Sequence, residues 1–109
     1  EGAPHAQLEI AAPFAPALAG IQPGDELVLL TWLHRAARDV LQVHPRGDPD
    51  RPLTGVFTTR SPDRPNPLGK HRVSVLEVNG RTLRVAPLEA IDGTPIVDIK
   101  PVLRQIDDR

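Results

Sequence analysis

Apolar and polar positions along this chain fall mostly into short runs with a period of two, the spacing of strands, and little of it reads as helix. Residues 26–34 (ELVLLTWLH) are the clearest central strand. Leu27, Leu29, Thr31 and Leu33 fall on one side and Val28, Leu30, Trp32 and His34 on the other. Both sides are largely apolar, which predicts cover on both faces, and His34 and Arg35 emerge at the C-terminal end. Residues 71–78 and 82–87 flank Asn79-Gly80, a favoured two-residue hairpin turn. That turn predicts Val78 opposite Arg81, Leu76 opposite Leu83 and Ser74 opposite Val85, with Leu76, Val78, Leu83 and Val85 on one face. Residues 7–12 suit an edge strand ended by Pro13, and residues 54–59 a short β-branched and aromatic strand. Residues 14–20 make a helical turn closed by a left-handed Gly20, and Pro23-Gly24 marks a turn. Residues 36–43 leave a short helix and an extended excursion both open, and residues 44–53 are a loop. In residues 96–100 the alternation puts Ile96, Asp98 and Lys100 on one side. The expected fold is mostly β: a small antiparallel, barrel-like sheet of five to seven short strands with short helical turns. Such a sheet protects its edges by closing or by dimerising.

One stretch breaks the pattern. Residues 55–71, GVFTTRSPDRPNPLGKH, hold two arginines, a lysine, three prolines, an asparagine and a serine between two runs that read as strand. Burying Arg60, Asp63, Arg64 and Asn66 without partners is costly, so this is no core element. Pro62, Pro65 and Pro67 each fix φ and restrict the residue before them, so it is no floppy loop either. A stiff cationic loop remains, able to meet a ligand with reduced loss of entropy.

The length of 109 residues predicts a single domain spanning 1–109. Proline is frequent at 13 residues but not in a repeat, which indicates rigid connections. Net charge is −1 and gives no overall steering toward nucleic acid, although residues 44–72 form a locally basic region. There is no cysteine to form a disulfide or act as a thiolate, and a reducing cytoplasm is the simpler expectation. No apolar run approaches the roughly 20 residues that span a bilayer, so no membrane partner is expected. His5, His34, His44 and His71 are too dispersed to suggest a metal cluster, and no metal is expected. Neither a phosphate-binding glycine fingerprint nor a nucleophile elbow is present.

The positive chemistry lies in two stiff turns. Arg60 and Arg64 are each suited to clamp a carboxylate or phosphate. Asp92 and Asp98 can accept from hydroxyls or an amino group, and the backbone amides of Gly93 and Thr94 can meet an adenine edge. Such a set suits a zwitterionic nucleoside. The competing account is turn-capping carboxylates and surface arginines, with Asp98 and Lys100 a solvated ion pair worth about 0–1 kcal/mol.

Residues 55–69, GVFTTRSPDRPNPLG, together with residues 92–101, DGTPIVDIKP, resemble the paired signature of the TsaA-like, or TrmO, family. TWLHR at residues 31–35 and LEIAAPFAPALAGI near the start extend the resemblance over roughly residues 7–104. The resemblance implies a β-barrel-like domain that dimerises and an S-adenosylmethionine-dependent methyltransferase acting on N6 of threonylcarbamoyladenosine at position 37 of transfer RNA. By the same resemblance the cofactor contacts are His34, Arg35, Arg60, Ser61, Arg64, Asn66, Asp92, Gly93 and Thr94, with Ser74 in the hairpin beneath them. Asp98 is the candidate to orient or accept the N6 proton, and Lys100 to stabilise negative charge or contact RNA phosphate. The chain departs from the family pattern in Lys70-His71, where a hydrophobic residue and serine are common, and in Val102, where tyrosine often follows DIKP. Neither the family's usual opening strand nor a further RNA-recognition domain is expected within these 109 residues. These departures keep a small-molecule methyltransferase and a non-catalytic nucleoside-binding module as alternatives.

Overall fold

In the computed structural model, which describes residues 4–103, the period-two runs become seven strands. They are β1 (Ala6–Glu9), β2 (Glu26–Trp32), β3 (Gln42–Val43), β4 (Thr54–Gly55), β5 (Leu68–Asn79), β6 (Thr82–Ala86) and β7 (Ile96–Pro101). Five of them form one antiparallel sheet in the order β1-β6-β5-β2-β7, and β3 pairs with β4 in a separate two-stranded ribbon. Among the described residues β1 and β7 are the two edges of the large sheet, and no pairing between them closes it into a barrel.

The core lies on one face of this sheet. Leu27 and Leu29 of β2, Val73 and Val75 of β5, Leu83 and Val85 of β6, and Leu8 and Leu88 form one buried cluster. Leu18 and Ile21 pack against it from the segment joining β1 to β2, where a 3-10 turn (Ala12–Leu18) runs into Gly20 at φ 95°. The left-handed backbone is why glycine stands there. Removing these aliphatic side chains from water is the main stabilising term, at about 25 cal/mol per Å² of apolar surface.

Two β-bulges alter the register expected from strict alternation. In the β5–β6 hairpin Asn79 pairs with Thr82 and Val78 with Leu83, then the register shifts between Val75 and Glu77 so that Val75 faces Val85. The turn is Gly80-Arg81, one residue later than expected, with Gly80 at φ 61° in its first central position. The bulge turns Leu76 out to solvent and brings Val73 and Val75 onto the core. On β7 a shift opposite Leu30 and Thr31 sets Ile96 against the core with Ile99, while Asp98 faces away from it. Ile96 therefore does not share a side with Asp98 and Lys100.

The segment from 33 to 67 is built differently. It contributes no residue to the main core, and residues 36–43 resolve as the extended excursion, not a helix. The strand expected over 54–59 stops at Gly55 and passes into a 3-10 turn (Val56–Thr58). The hydroxyls explain it: Thr58 donates to Gly55 O at 2.8 Å and Thr59 to Val56 O at 3.0 Å, so the side chains bond their own backbone in place of a ladder. The radius of gyration is 15.8 Å, against about 13 Å for a compact domain of this length. Residue 104, the last of the family resemblance over roughly residues 7–104, lies outside the described residues.

Candidate functional site

The C-terminal end of β2 sets the geometry. Leu33 N–H donates to Pro67 O at 2.8 Å and Trp32 N–H donates to Pro95 O at 3.0 Å. The proline-braced loop and the aspartate-bearing turn, far apart in sequence, thus flank one strand exit.

On the first side the loop is tied down by polar contacts. Asp63 Oδ1 accepts from Ala37 N–H at 2.8 Å, and Arg64 N–H donates to Ala37 O at 3.0 Å. Arg38 donates through Nε to Pro65 O at 2.8 Å and through an Nη to Asn66 Oδ1 at 3.3 Å. Its guanidinium also lies 5.1 Å from the centre of the Trp32 ring, a cation–π contact. The Arg64 guanidinium donates to the carbonyls of Val56 and Thr59, so it holds the 3-10 turn against the loop. Arg60 is exposed, and its side chain makes no hydrogen bond or ion pair among the described residues; the same is true of Lys70. Leu33, Arg60, Ser61, Arg64, Gly69, Lys70 and His71, with Leu68, surround a cavity of about 320 Å³.

Gly69 makes that wall possible. A Cβ there would lie 2.5 Å from Thr31 Oγ1 and 2.7 Å from His71 Nε2, closer than real contacts allow. Thr31 and His71 meet across it with Oγ1 and Nε2 2.8 Å apart. Thr31 is only 2% exposed and is the buried polar side chain among the described residues. Its hydroxyl needs a partner at that depth, and His71 supplies it. Burial lowers the pKa of His71 below its usual value of 6.5.

On the second side, Ile91–Thr94 form a turn in which Gly93 takes φ 84° and Thr94 N–H donates to Ile91 O at 3.0 Å. Asp92, Gly93 and Thr94 line a much larger cleft, about 1500 Å³, that opens between the unpaired edges β1 and β7. Thr31 lines this cleft too, so the Thr31–His71 pair stands as the partition between it and the smaller cavity.

The sequence-derived residues therefore fall into groups. Arg60, Ser61 and Arg64 come together in the smaller cavity, with Asn66 held beside it by Arg38. Asp92, Gly93 and Thr94 gather in the larger one. His34 and Arg35 are exposed just past the end of β2. Asp98 and Lys100 also line the larger cleft; they face solvent, with Nζ and Oδ2 3.8 Å apart. Ser74 pairs with Glu26 at the opposite end of β2, six residues along β5 from Leu68 and so about 20 Å away. Three residues were missed by sequence reasoning. Thr31 was the polar exception on its face of β2, and alternation from Val73 and Val75 puts His71 on the same face, so both left a signal. Arg38 left none, because its contacts are with residues 27 and 28 positions away.

A family model described as the tRNA-methyltransferase O N-terminal domain matches residues 2–108. A probable S-adenosyl-L-methionine-binding protein of Methanocaldococcus jannaschii is 40% identical over 104 residues, covering 92% of this chain and 82% of that protein. Another protein so described, from Archaeoglobus fulgidus, is 48% identical over 101 residues, covering 93% of this chain but 27% of its own length. Among solved structures, the crystal structure of TrmO from Pseudomonas aeruginosa superposes with a TM-score of 0.73 at 29% identity, covering 96% of this chain and 44% of that one. The chain thus spans less than half the length of that structural relative.

Proposed function

Because this chain belongs to the tRNA-methyltransferase O N-terminal domain family, we propose that it binds S-adenosylmethionine and transfers its methyl group to N6 of threonylcarbamoyladenosine at position 37 of transfer RNA. The observation that carries the reading is the cavity of about 320 Å³ that the GVFTTRSPDRPNPLG segment builds around Arg60, Ser61 and Arg64. Its volume lies within the usual range of about 300–1,000 Å³ for small-molecule sites. The donor set fits the cofactor in chemistry. Arg60 and Lys70 offer unpaired cations to a carboxylate, the Ser61 hydroxyl offers a neutral hydrogen bond, and the Gly69 backbone permits close approach. Asp92 and the Gly93 amide, across the Thr31–His71 partition, suit hydroxyls and a base edge, while the Thr94 amide is taken by Ile91 O.

When bound, S-adenosylmethionine supplies a methyl carbon made electrophilic by the positive sulfur beside it. The protein's part is to hold and align the reacting groups and to keep water out. Arg64 and Arg38 do this indirectly by fixing the loop that carries Arg60 and Ser61. His34, Arg35 and Asn66 are further proposed contacts, the first two at the strand exit; Ser74, paired at the far end of β2 and lining neither cavity, is not one. On the edge strand, Asp98 is proposed to orient the N6 group and Lys100 to contact an RNA phosphate. The proposal includes a homodimer, since β1 and β7 are unpaired edges and Phe57 is 83% exposed. It also includes a cytoplasmic setting, where transfer RNA is modified.

A nucleoside-binding module without transfer is the second reading, favoured by relatives named for binding S-adenosylmethionine. Incubation with methyl-labelled cofactor and total transfer RNA separates the two: labelled RNA supports methylation, and cofactor binding with unlabelled RNA supports the module. Arg60→Ala should weaken S-adenosylhomocysteine binding by about 10-fold or more, the worth of one charge-assisted hydrogen bond.

A further inference from the structure

We propose that His71 is the proton acceptor of the transfer reaction, taking up through Nδ1 the proton released by the nitrogen that is methylated. This rests on the methyltransfer reading above. Nitrogen methylation leaves a proton to be removed, and the cavity's polar lining offers few groups able to take it. Arg60 and Arg64 do not deprotonate in proteins, Lys70 is a cation on an exposed stem, and Ser61 is a weak base. His71 is the lining side chain whose chemistry spans neutral pH.

The charged groups around it are Arg60 and Arg64 from the loop and Lys70 from its own strand, while β2 and its exit present Leu29, Thr31 and Leu33. Among the described residues no carboxylate lines this cavity, so none of them favours the imidazolium before reaction. Half-burial acts in the same direction and keeps the ring neutral at pH 7. Thr31 Oγ1 and His71 Nε2 lie 2.8 Å apart; the proposal assigns the tautomer in which Nε2–H donates to Thr31 Oγ1, which fixes the ring in one orientation and leaves the Nδ1 lone pair free. Thr31 is then a positioning residue. In the step itself the nitrogen lone pair forms the bond to the methyl carbon, and the carbon–sulfur bond breaks with its electron pair kept by sulfur. The N–H bond then gives its pair to nitrogen, its proton goes to His71 Nδ1, and the imidazolium returns it to water. Asp98 is no second member of this pair: it lies opposite Leu30 while His71 lies opposite Leu29, so the two point to opposite faces of the sheet.

The test combines three readouts on the 109-residue chain: imidazole titration by NMR, S-adenosylhomocysteine affinity, and the pH profile of methyl transfer to transfer RNA. The proposal expects wild-type kcat to rise with pH through the value at which the His71 ring titrates, below 6.5. It expects His71→Gln to lose about 100-fold or more in kcat at pH 7 while binding S-adenosylhomocysteine within threefold of wild type. Thr31→Val should move the NMR titration and the kinetic limb together. Wild-type transfer with an equally active His71→Gln overturns the proposal and leaves the methyltransferase reading standing. So does an Asp98→Asn variant that loses transfer while His71→Gln keeps it. Loss of S-adenosylhomocysteine binding in His71→Gln in parallel with transfer also overturns it, since the ring would then be wall. Absence of wild-type transfer overturns both.

Discussion

The five-stranded sheet and the 33–67 excursion are held by different physics. The sheet is held by aliphatic burial, with Leu29, Leu83 and Val85 fully enclosed. The excursion buries Val56 and Pro67 but is held mainly by side-chain-to-backbone hydrogen bonds, Arg38 to Pro65 O, Arg64 to Val56 O and Thr59 O, and Ala37 N–H to Asp63. Burial is non-directional and tolerates register shifts such as the two β-bulges. Polar ties fix individual groups in place, which is what a site needs, while adding little to global stability. The two regions meet at Gly69, Thr31 and His71.

The contrast is broken most severely in the sheet. Leu29→Ala should cost about 2–5 kcal/mol in chemical denaturation, because it leaves a cavity in the centre of the core. A comparable loss from a substitution in residues 36–66 other than at the buried Val56 would erase the distinction. Gly69→Ala comes next, at about 1–3 kcal/mol from overpacking, with the Thr31–His71 contact broken. Arg64→Ala should act locally: hydrogen exchange should accelerate through residues 56–67 while the protection of β5 and β6 stays unchanged.

The pH response sharpens the junction. The folded pKa of His71 is lowered, so between 6.5 and that lower value the unfolded chain binds more protons than the folded one. Stability from this group is complete above 6.5 and falls as pH drops through that window; His71→Gln should flatten this part of the curve. The smallest effect belongs to the edge strand. Lys100→Ala should change stability by less than about 1 kcal/mol, since its pairing with Asp98 at 3.8 Å is largely exposed.

The same contrast explains what was legible beforehand. Period-two patterning located β2, the β5–β6 hairpin and the edge strand β1, because apolar residues report burial directly. It gave the wrong hairpin register, since a bulge at Leu76 follows from how the sheet curves and not from local alternation. The stiffness and charge of the proline loop were readable from Pro62, Pro65 and Pro67 and its arginines, but its anchoring was not. Arg38 is tied to residues 27 and 28 positions away, and nothing near it in sequence marks that role. The two stiff polar turns were legible one by one; their meeting at one strand exit, and their division into two cavities by Thr31 and His71, were not, because these depend on backbone contacts between distant segments and on a hydroxyl and a ring nitrogen meeting across a glycine.

The most direct test is an NMR titration of the protein with S-adenosylhomocysteine, following backbone amides and the His71 ring. Shifts concentrated at Arg60, Ser61, Gly69 and His71, with the hairpin tip at Asn79-Gly80 unmoved, are the predicted result. No shifts at millimolar ligand, or shifts confined to residues outside these two turns and the Thr31–His71 partition, would contradict it.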